Sequence, residues 1–325
     1  MTTEPATVPR PDRRLVDTDV VRRLLTNQFP QWADLPVRPV ATNGWDNQTF
    51  HLGDTMSVRL PTAAEYALAV PKEHRWLPVI ADRVPLPVPV PLAHGKPGEG
   101  FRFHWSVYEW IDGTPARPDT VTDLTAFAAD LAAFLTALQK VDPAGGPGPG
   151  LHNWFRGGPL DRYAPAARQA IDTLGDRIPH DAVTEVLDAA LEPTWDARPV
   201  WFHGDIAVGN LLVRDGRLAA VIDFGTCGVG DPACDLVIAW TMLTGRSRAV
   251  FRDRVGAEDG TWARARGWAL WKALILLAGA VDEDDPVEAA EQQRVIAEIL
   301  IDAGHGAKSP VRDGLVQHQR GLRPA

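Results

Sequence analysis

The sequence predicts an α+β chain with a bilobal architecture, a small sheet-rich lobe followed by a larger helical one, and three observations predict it. The first third sets short apolar segments against turn residues, as in FHLGDTMSVRL and FHWSVYEWI. From residue 120 the apolar residues recur at helical spacing: in DLTAFAADLAAFLTALQKV, Leu124, Phe127, Leu131, Phe134, Leu135 and Leu138 form one stripe. Later, LLVRDGRLAAVIDFG places two apolar runs around Asp215-Gly216, a strong hairpin signal.

Composition sets the outer limits. A chain of 325 residues that is 45% hydrophobic can bury one large core or two smaller ones. Lys and Arg number 33 against 42 for Asp and Glu, a net charge of -9, which argues against a nucleic-acid binder and its basic surface. The only cysteines, Cys227 and Cys234, lie seven positions apart with neither a second pair nor a spaced His cluster, which speaks against zinc and against a disulfide framework. With no signal peptide in evidence, the expected compartment is the cytoplasm. The longest apolar run, Ala273 to Val281, is about half of the ~20 residues a membrane span needs, so no membrane partner is expected. No heptad pattern appears, and a monomer is expected.

In chain order, residues 1–15, with their prolines and no apolar periodicity, are expected to be a disordered tail. Residues 16–111 form the first lobe. Within it, FHL and MSVRL flank GDT; if Gly53 and Asp54 make a two-residue turn, Arg59 lies opposite Gln48 and beside the preceding loop, TNGWDN. In EYALAVPKEHRWLPVIADRV, Pro71 suits the start of a helix that carries Glu73, His74 and Trp76. PLPVPVPLAHGKPGEG is an extended connector to the strand FHWSVYEWI. The period switches between Asp112 and Asp119, and residues 112–305 form the helical lobe, closing with helices near 262–281 and 286–303. Residues 306–325 are read as a C-terminal tail.

The chemistry concentrates in HGDIAVGN, residues 203–210, and VIDFG, which ends at Gly225. With Asp215 and Gly216 as the turn, Arg214 faces Arg217, Asn210 faces Val221, and Asp223 lies two residues beyond that partner on the same face. Such diagonal neighbours have Cα atoms ~7–8 Å apart, close enough for both side chains to reach one cation. An amide oxygen and a carboxylate are hard ligands suited to Mg²⁺, which fills its remaining positions with phosphate and water. Asp205 precedes the hairpin, free of the metal, and is placed to accept a proton from a substrate hydroxyl. A base, an amide ligand and a carboxylate ligand in this order form the layout of phosphoryl transfer.

HGDIAVGNLLV, VIDFG and GDPACDL together resemble the three C-lobe signatures of the aminoglycoside phosphotransferase family, relatives of the protein kinases. Motif order and spacing agree together, and the likeness extends over roughly residues 35–305. The resemblance implies a bilobal protein-kinase-like fold, ATP or GTP as phosphoryl donor, Mg²⁺, and O-phosphorylation of a small hydroxylated acceptor such as an aminoglycoside. It makes Asp205 the catalytic base, Asn210 and Asp223 the metal ligands, and His203 an orienting residue of the catalytic loop. Asp231 and Asp235 resemble structural acids, and Asp235 reads as a buried hydrogen-bonding group. YEWIDG resembles the inter-lobe hinge, with the backbone of Glu109 and Ile111 at the adenine edge and Tyr108 behind it.

Two features depart from the family pattern. TNGWDN, with Gly44 alone, is no glycine-rich cradle; Asn43, Gly44 and Trp45 are its candidate phosphate contacts, beside Asp46 and Asn47. MSVRLP carries Arg59 where a phosphate-binding lysine is usual, with Glu73 as its expected ion-pair partner. The acidic run Asp282 to Asp285 either lines the acceptor site or caps the following helix. Trp154, Phe155 and Arg156 are weaker acceptor-site candidates. The rival readings are a kinase of the same fold acting on a macrolide or a metabolic alcohol, and a nucleotide-binding pseudokinase.

Overall fold

A computed structural model describes residues 16–41 and 43–305; the expected tails at 1–15 and 306–325 lie outside the described residues. The first lobe is built on a five-stranded antiparallel sheet of β1 (Val37–Pro39), β2 (Asn47–Leu52), β3 (Met56–Pro61), β4 (Pro91–Gly95) and β5 (Trp105–Glu109), in the order β1-β2-β3-β5-β4. Alternation puts Phe50, Leu52, Val58, Leu60, Trp105 and Val107 on the inner face. There they meet Val21, Leu24 and Leu25 of α1 (Thr18–Gln28), a helix whose start is fixed by the Asp17 carboxylate accepting from the Val20 N–H.

The register of the β2–β3 hairpin differs from expectation. Leu52 pairs with Met56, so the connection has three residues, Gly53, Asp54 and Thr55, and Arg59 lies opposite Thr49 instead of Gln48. Gly53 takes a left-handed φ of 60°, the conformation at which a longer loop can absorb one more residue.

A one-turn helix, α2 (Ala64–Ala67), leads into α3 (Ala69–Ala81), with Pro71 in the first turn as expected, where its missing N–H costs nothing. α3 packs at the lobe junction: Leu77 and Ile80 join the core of the second lobe, while Lys72 and Glu73 point towards the site.

The second lobe carries a short strand, β6 (Thr114–Pro115), then α4 (Leu124–Gln139), α5 (Ala164–Leu174) and α6 (His180–Leu191). Asp123 caps α4 by accepting from the Thr125 and Ala126 N–H groups, and the expected stripe of α4 is buried from Phe127 to Leu138. Strand β7 (Val200–Phe202) follows, then the hairpin β8 (Leu211–Arg214) and β9 (Arg217–Val221), and β10 (Gly228–Gly230), which pairs back on β7. The chain closes through α7 (Ile238–Thr241), α8 (Gly245–Val255), α9 (Asp259–Asp282) and α10 (Pro286–Asp302). The whole is the bilobal α+β arrangement read from the sequence, with a sheet-rich first region and a larger helical second one.

Asp215 and Gly216 take φ of 52° and 77°, both left-handed, so the predicted turn has the twist that matches a tight hairpin. Arg214 faces Arg217 as expected, but the register slips between Leu212 and Val213, where Ala219 is the extra residue of β9. Leu211 therefore meets Val221, and Asn210 lies opposite Ile222, whose N–H donates to the Asn210 carbonyl at 2.9 Å. Asp223 therefore lies one residue beyond the Asn210 partner and not two, so the expected same-face diagonal pair is not formed in the ladder.

Candidate active site

Asp205 leaves the end of β7 on a tight path. Gly204 has φ of 88°, and a Cβ there would lie 2.6 Å from the Thr226 carbonyl oxygen, so only glycine fits. Asp235, fully buried, accepts from the backbone N–H groups of His203 at 2.8 Å and Gly204 at 2.6 Å, fixing the two residues ahead of Asp205. Burial pushes the Asp235 carboxyl up to about 7, against the pull of those two donors. His203 is also fully buried; its Nδ1 accepts from the Asp205 N–H at 3.2 Å, which leaves Nε2 to donate to the Ile222 carbonyl at 3.0 Å. One ring thus spans the loop of Asp205 and the strand end of Asp223. Asp231 caps the turn that holds Asp235 and pairs with buried Arg264, whose Nε donates at 2.7 Å.

The Asp205 carboxylate has partners on both oxygens. Oδ2 and the Asp205 carbonyl accept from Asn210 Nδ2 at 3.0 and 2.9 Å, which turns the Asn210 side-chain oxygen away from Asp205. Oδ1 accepts from Lys272 Nζ of α9 at 2.9 Å. Burial opposes the charge on Asp205, but Lys272, followed by Arg156 and His203, outweighs it and holds the carboxyl below its ordinary value. Neither Lys272 nor Arg156 was expected at this carboxylate.

Asp223 sits at φ 68°, a left-handed conformation that costs a non-glycine residue ~1–3 kcal/mol and occurs most often at functional positions. Its Oδ1 accepts from Arg59 Nη2 at 3.0 Å. The expected Arg59–Glu73 ion pair is therefore replaced: Arg59 bonds Asp223, and Glu73 accepts from the hydroxyl of buried Tyr108. The physical reason is in the partners: the Tyr108 hydroxyl engages Glu73, and Asp223 comes within 3.0 Å of Arg59 across the lobe junction. Burial works against the Arg59 charge, yet Asp223 and then Glu73 outweigh it and raise its pKa. Tyr108 lies under the Arg59 guanidinium, 5.6 Å from its ring centre. Glu109 ends β5 exposed, and Ile111 lies half-buried just beyond.

In the loop before β2, Asn43 is spent on structure: its side-chain oxygen accepts from the Thr49 N–H at 2.6 Å. A Cβ on Gly44 would meet open space, and the Trp45 side chain is 53% exposed. The loop residue that enters the site is Asp46. Its Oδ2, Asp223 Oδ1 and Glu73 Oε1 lie 3.7, 3.5 and 3.9 Å from the point where a Cβ of Gly225 would stand. Burial, then Asp223, pushes the Asp46 carboxyl up to about 7. Gly225 thus opens a cradle ringed by carboxylate oxygens, a donor set of the hard kind that Mg²⁺ takes together with phosphate. Among the described residues, no group of three or more His, Cys, Asp or Glu side chains is arranged as a metal site. Magnesium characteristically uses only one or two protein groups, the number expected here of Asn210 and Asp223.

Lys72 pins the cradle from behind. Its ammonium is buried and donates to the carbonyls of Gly225 at 2.7 Å and Cys227 at 2.9 Å, with the His152 carbonyl at 3.4 Å. Next to His152, Trp154 and Phe155 both take left-handed φ, at 52° and 56°. This double turn carries Arg156 back under the catalytic loop, where its Nε donates to the Gly204 carbonyl at 3.2 Å. The guanidinium lies about 5 Å from the rings of Tyr163, Trp268 and Trp271. The acidic run beyond α9 is exposed, and Asp285 caps α10 by accepting from the Val287 and Glu288 N–H groups.

A sheet-rich lobe set against a larger helical one, with the catalytic-loop and hairpin segments at their junction, is the protein-kinase-like arrangement. Residues 37–268 match the Phosphotransferase enzyme family, and the chain belongs to it. A curated aminoglycoside 3'-phosphotransferase of Escherichia coli is 40% identical over 45 residues, 14% of this chain and 17% of that protein's length. Among solved structures, an APH(2") enzyme bound to GDP and kanamycin is similar at a TM-score of 0.68 and 19% identity, over 87% of this chain and 98% of that one. The macrolide 2'-phosphotransferase MphH from Brachybacterium faecium is similar at 0.56 and 21%, over 86% and 98%. These likenesses establish the fold. Among the described residues, no helix is long and apolar enough to cross a membrane.

Proposed function

We propose that the chain transfers the γ-phosphoryl group of ATP or GTP directly to a hydroxyl of a small molecule held beside Asp205. The observation that carries this reading is that one loop and one bulged hairpin are tied together here: Asn210 donates to Asp205, and His203 bridges the Asp205 N–H and the carbonyl of Ile222, the residue before Asp223. In the step, the acceptor oxygen forms a bond to the γ-phosphorus as the bond to the β-phosphate oxygen breaks. The hydroxyl proton passes to the Asp205 carboxylate, and the nucleoside diphosphate leaves. Asp205 is held ionised by Lys272, so it is a weak base whose main contribution is to orient the hydroxyl in line. Arg59, fixed against Asp223, supplies fixed positive charge on the donor side. Asn210 and Asp223 would hold Mg²⁺, which neutralises charge on the phosphates when bound. Glu109 and Ile111 would meet the adenine or guanine edge through their backbone.

The family likeness points to an aminoglycoside as acceptor, the class named for one similar structure. A second reading, a kinase of a small metabolic alcohol, is favoured by the cation that stands on Asp205 where the acceptor must bind. The pseudokinase reading is disfavoured by the joint presence of Asp205, Asn210 and Asp223. The test is a panel of aminoglycosides, macrolides and metabolic alcohols with ATP or GTP and Mg²⁺, read by mass spectrometry. Gain of one phosphoryl group on any member supports the reading, whereas nucleotide binding without transfer to any of them refutes it.

A further inference from the structure

We propose that Lys272 selects the acceptor: the site takes a polyhydroxylated molecule that is uncharged or anionic around its reacting hydroxyl, and turns away polycations. The inference rests on the phosphotransfer reading above and names the substrate class of the same site.

Three observations carry it. Lys272 Nζ lies 2.9 Å from Asp205 Oδ1, with the two side chains 36% and 34% exposed, so both open onto the same solvent-facing mouth. A hydroxyl that donates to Asp205 must therefore come within reach of the ammonium, which has three donors and gives one to the carboxylate. The remaining donors suit hydroxyl, carboxylate or phosphoryl oxygens, and they repel an ammonium brought to the same place. A second fixed cation, Arg156, stands behind Asp205 on the protein side and adds to the positive field that the carboxylate feels.

The same side of α9 beyond Lys272 is apolar. One to two turns further along α9, the positions on its side of the helix are Ile275, Leu276 and Gly279, and Leu276 and Gly279 are exposed. An acceptor lying along this face meets a cation and then apolar surface. Carboxylates begin only at Asp282, ten residues beyond Lys272 and therefore ~15 Å along the helix. There Asp285 is engaged in capping α10. This stretch of α9 offers no carboxylate to an ammonium group between Lys272 and Asp282.

The test uses the full chain, Mg²⁺, and ATP or GTP, and reads nucleotide turnover above the rate with water as acceptor. Sorbitol and gluconate head a panel of polyols and sugar acids; kanamycin heads a panel of amino sugars. We expect kcat/KM at least tenfold higher for the best non-cationic acceptor than for kanamycin. Lys272→Glu should shift that ratio at least tenfold towards kanamycin, and Lys272→Arg should keep the wild-type order. A merely structural lysine would lower turnover of all acceptors alike and leave the ratio in place, so an unchanged ratio in Lys272→Glu overturns the proposal. So does a wild-type preference for kanamycin, or no stimulation by any polyol or sugar acid; the phosphotransfer reading survives either result. Absence of Mg²⁺-dependent turnover with every acceptor and with water would overturn both.

Discussion

Replacing Lys72 by methionine isolates the contact that joins α3 to the Gly225 cradle. The substitution keeps the length and apolar stem of the side chain and removes only the ammonium. Two of its hydrogen bonds are short, to Gly225 at 2.7 Å and Cys227 at 2.9 Å, and hydrogen bonds to a charged group contribute ~1.5–3 kcal/mol each. Their loss is ~3–6 kcal/mol before the opposing effect is counted. Burial is the largest influence on this lysine and lowers its pKa, so removing the ammonium also relieves a desolvation penalty that offsets part of this loss. The net expectation is a destabilisation of ~2–4 kcal/mol, measured as a lower urea midpoint at unchanged slope. Because the freed segment begins two residues after Asp223, kcat should fall about tenfold or more, on the order of 1.4 kcal/mol per decade, with nucleotide KM little changed. A variant as stable and as active as the wild type would refute the reasoning, since it would mean that the ammonium cage does not set the position of the Gly225–Cys227 segment.

Two further substitutions probe other parts of the frame. His74 is pushed down to about 4 by burial and then by its stacked neighbour His94, so between about 6.5 and 4 the unfolded chain binds a proton that the folded one does not. Stability should therefore fall as pH drops through that window, by roughly 1–2 kcal/mol after allowance for its half-exposure, and His74→Gln should flatten the drop; identical acid profiles would count against it. Arg264→Met leaves Asp231 buried without its counter-ion and should cost ~3–5 kcal/mol, read by chemical denaturation, whereas a loss below about 1 kcal/mol would show that the pair is dispensable.

Much of the fold was legible because it rests on local signals. The α4 stripe, the Asp215-Gly216 turn, Pro71 in the first turn of α3 and the last two helices all follow from periodicity or turn chemistry. Helix α1 had signals that could have been read, an aspartate cap at Asp17 and apolar residues Val21, Leu24 and Leu25, but its two adjacent arginines blur the stripe. Both hairpin registers missed by one residue, because an added loop residue at Thr55 and a bulge at Ala219 leave no mark in the alternation of the sequence. Each slip changes a cross-strand partner: Arg59 faces Thr49, and Asn210 faces Ile222.

The contacts that sequence reasoning missed are long-range and made by single side chains. Lys272 meets Asp205 from 67 residues away, and its only local trace is a lone charge within the apolar run WALWKALILLAGAV. Lys72 carries no distinguishing signal in the sequence, yet it is buried against carbonyls 153 and 155 residues on. Asp46 stood in the quoted loop without a distinguishing signal. Its place beside Asp223 and Glu73 depends on how the loop folds over the sheet.

Asp205→Asn tests the central claim most directly, because it keeps the shape and the contact with Lys272 while removing the carboxylate that receives the proton. Nucleotide affinity, measured by calorimetry with Mg²⁺, should stay within about threefold of wild type, since the residue lies on the acceptor side. Phosphoryl transfer to the best acceptor should fall by ~10²–10⁴-fold, the range that positioned proton transfer provides. Transfer within about threefold of wild type, with nucleotide binding intact, would contradict the assignment of Asp205 as the residue that orients and deprotonates the acceptor.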